Sequence, residues 1–192
     1  LYNTYSFFAL YANLDGFSYK EAEIANDQRP EIDKWIISLL NTLVKDVEAA
    51  FDSYEPTTAG RLIQNFVIDN LSNWYVRLNR KRFWGQEYDT DKISAYQTLY
   101  TCLETVAQLM SPIAPFYSER LFTDLNKVTS RNQNSVHISE YPEYNEELVD
   151  SELEERMALA QQISSLSLSL RRKSKIKVRQ PLQKIMLPVL NS

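Results

Sequence analysis

Apolar residues recur at every third or fourth position along most of the chain, and this spacing predicts amphipathic helices. One such stripe occupies residues 29–53 and is interrupted by the Tyr-Glu-Pro sequence that follows it. A longer stripe runs from about 57 to 80 and begins beside two threonines that suit a helix N-cap. The first half of the chain is therefore predicted to contain two long, consecutive helices.

Three further helices are predicted in the second half of the chain. They cover about 91–110, 115–125 and 146–172. Pro112 and Pro115 separate the first two, because proline lacks a backbone N–H and is tolerated only in the first turn of a helix. Residues 166–170 also alternate like a strand, but the three-to-four spacing that continues from Met157 favours a helix. Residues 136–138 are predicted as a short extended piece within a polar loop.

Helices of this length with short connections predict an all-α, up-and-down helical bundle with a short C-terminal extended segment. We assign residues 1–173 to the bundle. Residues 174–192 are assigned to the truncated start of a following domain, because 184–190 is typical of a strand and has no partner strand. The chain begins at Leu1 without a signal peptide pattern, so we interpret it as a piece of a longer, cytosolic protein.

Composition excludes several kinds of catalytic and metal site. The 192 residues include only 3 Gly, 1 Cys and 1 His. The glycines are too few and too scattered for a phosphate-binding loop, and one Cys with one His forms neither a zinc site nor a nucleophilic triad. No apolar run approaches the roughly 18 residues that a membrane helix requires. We therefore expect no catalytic residue, no metal site and no membrane span in this chain.

Three side chains are predicted to be buried from their positions on the apolar stripes. Trp35 and Trp74 lie on the stripes of the two long helices, where large aromatic residues usually belong to the core. Cys102 lies beside Leu103 in the predicted helix 91–110, where a cysteine commonly acts as a small apolar residue. We expect its thiol to react slowly with a thiol reagent while the protein is folded.

Basic residues are concentrated in two places that contain no acidic residue, although the formal net charge is −4. The first cluster comprises Arg77, Arg80, Lys81 and Arg82, and the second lies between Arg171 and Lys184. An acidic chain can therefore present a local basic surface. Each cluster, taken alone, is also typical of a solvated helix face.

One face of the second long helix combines amide, basic and aromatic side chains. At about 100° per residue, the stripe contains Asn73, Arg77, Arg80 or Lys81, and Trp84, whereas Leu71, Trp74, Tyr75 and Leu78 lie on another stripe. Arginine matches phosphate geometry and aromatic rings stack on unpaired bases, so this face favours single-stranded RNA loops. The alternative is an amphipathic helix with a basic solvent face and a partly buried Trp84. We predict that Trp84 is the most exposed of the three tryptophans.

Five segments form an ordered series of motifs, at residues 2–15, 29–35, 70–85, 110–119 and 175–182. The third reads Asn-Leu-Ser-Asn-Trp-Tyr-Val-Arg-Leu-Asn-Arg-Lys-Arg-Phe-Trp-Gly and resembles the signature of the helical anticodon-binding domain of class I aminoacyl-tRNA synthetases. The first and second resemble the segment after the catalytic domain and the start of the second bundle helix in the isoleucine-specific members. The fourth resembles a proline-broken element of the valine, leucine and isoleucine enzymes, and the fifth resembles the strand that leads into the next domain.

The resemblance implies a parent enzyme that activates isoleucine with ATP and magnesium and attaches it to tRNA in a catalytic domain outside this chain. The chain would then bind the anticodon region of isoleucine tRNA within a monomeric, cytoplasmic synthetase. Phosphate contacts would come from Arg77, Arg80, Lys81 and Arg82, with Asn73 and Trp84 nearer the bases. Two other interpretations stay open, namely a module that binds an acidic protein through the same face and a module that only braces the catalytic domain.

Overall fold

The computed structural model describes residues 1–127, 129 and 134–186. The chain is all-α, as the apolar spacing predicts, and no β-strand occurs among those residues. Its α-helices are α1 (Tyr2–Asp15), α2 (Glu31–Asp52), α3 (Pro56–Asn65), α4 (Arg77–Trp84), α5 (Thr90–Met110), α6 (Pro115–Asn126) and α7 (Ser151–Lys173). A π-helical segment (Phe66–Val76) joins α3 to α4, and 3₁₀ turns occupy Asn26–Gln28, Val136–Ile138 and Glu146–Leu148.

The ends of several helices follow local signals in the sequence. Asp89 caps α5, since its carboxylate accepts a hydrogen bond of 2.8 Å from the backbone N–H of Lys92. Glu31 and Asp33 lie in the first turn of α2, where carboxylates are stabilised by the positive end of the helix dipole. Gly16 ends α1 with a φ of 72°, a left-handed conformation that residues with a side chain rarely adopt.

The chain divides into two compact units, Leu1–Ser151 and a second that begins at Glu152. In the first unit, α2 packs against α3, the π-helical segment and α5, with Trp35, Tyr75 and Tyr96 fully buried. The second unit contains the rest of α7 and the segment that follows it. The boundary at residue 173 between a helical bundle and a following domain stays a prediction.

A row of buried side chains accounts for the π-helical segment. Every fourth residue along one face is buried, namely Ala59, Ile63, Val67, Leu71, Tyr75, Asn79 and Phe83. In a uniform α-helix, residues four apart drift by about 40° around the axis, so this row would turn away from the core. The i→i+5 hydrogen bonds of a π-helix widen each turn and offset that drift within Phe66–Val76.

This change of register corrects two predictions for the second long helix. Leu78, predicted on the buried stripe, is 54% exposed, and Trp74, predicted in the core, is only partly buried. Asn79 and Phe83 are buried instead. The prediction was wrong because it used a period of 3.6 residues, which does not describe the wider π-helical turns.

Three other predictions about helices and burial are confirmed. Trp35 and Cys102 are buried, and burial raises the pKa of the Cys102 thiol. Residues 166–170 are helical, as the spacing that continues from Met157 favours. The α-helical period therefore describes these parts of α2, α5 and α7, but it does not carry through the π-helical segment into α4.

The two predicted extended pieces have different outcomes. Residues 136–138 form a 3₁₀ turn, because Ser135 caps the turn and the carboxylate of Glu119 accepts a hydrogen bond of 2.9 Å from the first backbone N–H. Of the predicted strand 184–190, only residues 184–186 belong to the described part of the chain, and they are not in a strand. The remainder lies outside the described residues.

Candidate nucleic-acid interface

Amide, basic and aromatic side chains lie together on the exposed face of α4 and of the turn before it. The exposed residues are Asn73, Arg77, Arg80, Lys81 and Trp84, which we call the α4 surface. Trp84 is 55% exposed, Trp35 is 1% exposed and Trp74 is intermediate. The prediction that Trp84 is the most exposed tryptophan is therefore confirmed.

The basic side chains of the α4 surface are not neutralised by the described part of the protein. Arg77, Arg80 and Lys81 make no ion pair with any residue in 1–127, 129 or 134–186. A guanidinium presents a planar fork of N–H donors that matches a phosphate, and an ammonium adds a compact positive charge. The face therefore carries a local positive potential although the chain as a whole has a net charge of −4.

Arg82 differs from its basic neighbours because its guanidinium turns into the protein. It makes a bidentate ion pair with Asp33 on α2, with Nη1 2.7 Å from Oδ1 and Nη2 2.9 Å from Oδ2. Its Nε donates to a carboxylate oxygen of Asp91 at 2.9 Å, and Nη2 donates to the Asp91 carbonyl oxygen at 2.7 Å. The structure thus separates Arg82 from the other predicted phosphate contacts.

Asp33 is fully buried and forms the centre of a polar network. Besides the two bonds from Arg82, its carboxylate accepts hydrogen bonds from the hydroxyl groups of Tyr75 at 2.8 Å and Ser94 at 2.6 Å. Four donors offset the cost of burying one carboxylate. Burial and the adjacent Asp33 charge raise the pKa of Tyr75 well above its ordinary value, so its hydroxyl remains a donor. The network links α2, α4 and α5 and fixes the rotation of α4 about its axis.

Phe83, the residue before Trp84, is held in an aromatic cluster. Its ring lies edge-on to Phe7 of α1 and Tyr96 of α5, with centroid distances of 5.2 and 5.1 Å. Edge-to-face contacts of this kind are favourable because the positive edge of one ring meets the negative face of another. The last turn of α4 is therefore packed on one side and open to solvent on the other.

Gly85, the residue after Trp84, is held by a buried lysine. Its carbonyl oxygen accepts a hydrogen bond of 2.7 Å from Nζ of Lys92, which also pairs with Asp15 at 2.5 Å. Asp15 additionally accepts a hydrogen bond of 2.5 Å from the hydroxyl of Tyr96, and burial together with this carboxylate raises the pKa of Tyr96. The chain is thereby fixed directly beyond the end of α4.

Sequence reasoning missed Asp33, Asp91 and Lys92, the residues that hold α4 in place. Asp33 lies 49 positions from Arg82, and Asp91 lies 9 positions from it. A helical period relates only residues on the same helix, so these pairings were invisible to it. A signal was nevertheless present, since Asp33 shares the apolar stripe of α2 with Ile36 and therefore needs a buried partner.

The second basic cluster lies at the end of α7 and in the segment that follows. Nη1 of Arg171 donates to the carbonyl oxygens of Lys177, Val178 and Gln180 at 3.0, 3.4 and 2.8 Å. These bonds fold the segment back toward the last turn of the helix. The exposed basic residues around this fold are Arg172, Lys173, Lys175, Lys177 and Arg179.

No helix in the described part of the chain has an apolar stretch long enough to cross a membrane. The described residues also bring no three Cys, His, Asp or Glu side chains together in an arrangement that could hold a metal ion.

Comparison with known proteins assigns the chain to a family. Residues 33–186 match the family model described as the anticodon-binding domain of tRNA ligase. The matched range covers most of the chain and contains the whole α4 surface together with Asp33. The chain therefore belongs to the family of anticodon-binding domains of tRNA ligases, and the resemblance stated from its motifs is confirmed.

Curated relatives share the same segment at high identity. The chain is 67% identical over 190 residues to an isoleucine–tRNA ligase of Bacteroides thetaiotaomicron, and the aligned region covers 98% of this chain and 16% of the relative. It is 64% identical over 191 residues to that of Cytophaga hutchinsonii, covering 99% and 17%. It is 46% identical over 186 residues to that of Dehalococcoides mccartyi, covering 96% and 18%. The chain spans about a sixth of the length of the curated relatives it matches.

Proposed function

We propose that the chain serves an isoleucine–tRNA ligase, which attaches isoleucine to its tRNA with ATP in a catalytic domain outside this chain. Identities of 46–67% to proteins named as isoleucine–tRNA ligases support this amino acid. ATP and magnesium would be bound by the catalytic domain, and the chain itself would need no cofactor. The enzyme would be a cytoplasmic monomer, with residues 1–173 as the tRNA-binding bundle and residues 174–192 as the start of the next domain.

The α4 surface is the observation that carries this proposal. Arg77, Arg80 and Lys81 would contact phosphates of the anticodon arm, because they are exposed and make no ion pair with the described residues. Asn73 and Trp84 would lie nearer the bases of the loop. Unpaired bases expose their faces and edges, so an indole can stack on one of them for roughly 1–3 kcal/mol. This surface therefore suits a single-stranded loop better than a duplex.

Arg82 supports the surface in this proposal and does not contact phosphate. A guanidinium has five N–H donors, and those of Arg82 make five hydrogen bonds to Asp33, Asn79 and Asp91. A phosphate could bind Arg82 only if one of these bonds broke. The phosphate contact predicted for Arg82 from the sequence is for this reason not part of the proposed interface.

A second role, bracing a neighbouring domain, is favoured by a different set of side chains. Tyr2, Leu10 and Leu14 of α1 are exposed, and Phe116 at the start of α6 is 91% exposed. A contiguous patch of exposed apolar side chains often marks a surface that another protein or domain covers, and the bracing role requires these side chains to form one. These residues lie on other helices than the α4 surface, so bracing and tRNA binding are compatible in one domain.

Titration of the chain with isoleucine tRNA and with a non-cognate tRNA, each at two salt concentrations, tests the proposal. Tighter binding of isoleucine tRNA is expected, with an affinity that falls as salt rises because phosphate contacts release counterions. Polyglutamate is the control for a module that binds acidic proteins, and it should not compete with the cognate tRNA. Equal affinity for both tRNAs, or full competition by polyglutamate, would reject the proposal.

A further inference from the structure

Trp84 is exposed, yet the chain on both sides of it is held by buried groups. Two positions before it, Arg82 uses all its donors inside the protein. Directly before it, Phe83 is 1% exposed within an aromatic cluster. Directly after it, the carbonyl oxygen of Gly85 is bound by Lys92. The backbone of Trp84 is therefore restrained from both directions while its side chain faces solvent.

Lys92 is a buried lysine whose ion pair is not needed for stability alone. Lys92 is only 2% exposed, and removing an ammonium group from water is costly unless it is paired. An apolar side chain of similar size often gives equal or greater stability than a buried ion pair. An apolar side chain could not, however, donate to the Gly85 carbonyl, which lies beyond the helix end and lacks a helical donor. Lys92 thus supplies a geometric restraint at this point.

We infer that Arg82 and Lys92 are positioning residues whose ion pairs fix the backbone around Trp84, so that its indole meets a nucleotide base in one orientation. The inference rests on the proposed function, since it takes the base to belong to a tRNA loop. A restrained side chain loses less conformational freedom on binding than a mobile one, and this difference appears as affinity. Neither positioning residue would touch the RNA.

The motion of Trp84 can be measured without RNA in a chain that carries Trp35→Phe and Trp74→Phe. Time-resolved fluorescence anisotropy of the remaining indole reports its motion on the nanosecond timescale. In this background, Lys92→Met should increase the amplitude of the fast motion about twofold, and Lys92→Arg should restore it because the charge and donors remain. Unchanged motion in a folded Lys92→Met chain would overturn the inference.

The affinity for isoleucine tRNA gives a second readout. Lys92→Met should weaken binding roughly three- to tenfold, because the freed end of α4 must be ordered again on binding. The dependence of affinity on salt should not change, because Lys92 is buried and contacts no phosphate. A changed salt dependence would instead indicate a direct contact and would contradict a positioning role.

Asn126→Ala is the matched control, because it removes a buried hydrogen-bonding side chain at the end of α6. It should lower the melting temperature without changing the motion of Trp84 or the tRNA affinity. If Lys92→Met does not fold, Asp15→Asn replaces it, since this change removes the charge that pairs with Lys92. If Asn126→Ala changes the motion of Trp84 and the tRNA affinity as much as Lys92→Met does, the effects of Lys92→Met come from lost stability and the positioning role is wrong.

Trp84→Ala separates a failure of this inference from a failure of the proposed function. If Trp84→Ala leaves tRNA affinity unchanged, the proposed interface is wrong, whatever Lys92→Met does to the motion of the indole. If Trp84→Ala weakens binding while Lys92→Met changes neither motion nor affinity, the interface stands and the positioning role is wrong.

Discussion

The two faces of α4 carry the same type of side chain in opposite settings. Arg80 is exposed and makes no ion pair with the described residues. Arg82, two positions later, has a side chain that is 14% exposed and pairs with Asp33 and Asp91. The positive charge of Arg82 is neutralised by carboxylates of the fold, whereas that of Arg80 faces solvent. The role of a basic residue here depends on whether the fold supplies its carboxylate.

The same comparison explains why a cluster of like charges is tolerated on one helix. The carboxylates of Asp33 and Asp91 offset the charge of Arg82, which lowers the Coulomb repulsion between Arg82 and the nearby Arg80 and Lys81. The remaining charges face solvent, where ions screen them over about 10 Å at moderate salt. The buried face therefore determines geometry, and the exposed face carries the charges that the proposed interface requires.

Arg82→Ala is expected to have the largest effect on the buried face. It would leave Asp33 buried without its cation, which should lower the free energy of unfolding by about 3–5 kcal/mol. Urea unfolding measures this loss. Arg80→Ala is the matched control and should change stability by no more than about 0.5 kcal/mol. Equal, small losses for both variants would contradict the assignment of the two faces.

Trp84→Ala is expected to have the largest effect on the exposed face. Loss of one base–aromatic stack should weaken tRNA binding about tenfold, which corresponds to ~1.4 kcal/mol. Filter binding and a thermal melt on the same variant measure affinity and stability together. Phe116→Ala is the control, since it removes a more exposed ring from α6, 91% exposed against 55% for Trp84, and should leave affinity unchanged. A loss of stability without a loss of affinity would mean that Trp84 packs against the bundle and does not contact the RNA.

Arg80→Ala should have a smaller effect on affinity but a characteristic dependence on salt. Removal of one phosphate contact should flatten the plot of log affinity against log salt by about one unit or less. Lys45→Ala is the charge-matched control, because Lys45 is exposed on α2, outside the α4 surface. Its Nζ lies over the ring of Tyr144, 5.3 Å from the ring centroid. An identical change of slope in both variants would mean that only the total charge matters.

Leu78→Ala should have the smallest effect, although Leu78 belongs to the apolar stripe of an ideal α-helix. Because its side chain is 54% exposed, its truncation should change the free energy of unfolding by less than about 1 kcal/mol. Leu71→Ala, on the fully buried side, should lose roughly 2–5 kcal/mol. Chemical unfolding of both variants tests the register that the π-helical segment imposes. A loss for Leu78→Ala as large as that for Leu71→Ala would contradict that register.

Most of the regular helices could be predicted because the apolar period of their residues is local, but α1 (Tyr2–Asp15) was not predicted. The predicted helix 91–110 differs by one residue from the observed Thr90–Met110, and Pro115 begins α6 as expected. The π-helical segment could not be predicted, since its apolar residues, among them Val67, Leu71 and Trp74, also satisfy the three-to-four spacing of an α-helix. Its buried row is recognised only when the packing partners are present.

In the candidate site, the exposed side chains could be predicted from the sequence but the buried ion pair could not. The exposure of Arg80 and Trp84 follows from their place on the polar side of the helix, and the structure confirms it. The inward turn of Arg82 depends on Asp33, which a different helix contributes 49 positions away. Long-range pairing of this kind leaves no trace in a local charge pattern, so a basic run alone cannot separate structural from ligand-binding residues.

Protection of Trp84 by RNA would show whether its indole lies in the interface. In the chain with Trp35→Phe and Trp74→Phe, acrylamide quenching of the single remaining indole measures its accessibility. We expect efficient quenching in the free chain and clear protection when the anticodon stem-loop of isoleucine tRNA is added, with less protection by a non-cognate stem-loop. If the isoleucine stem-loop binds while quenching of Trp84 stays unchanged, the indole does not meet the RNA and the α4 surface is not the interface.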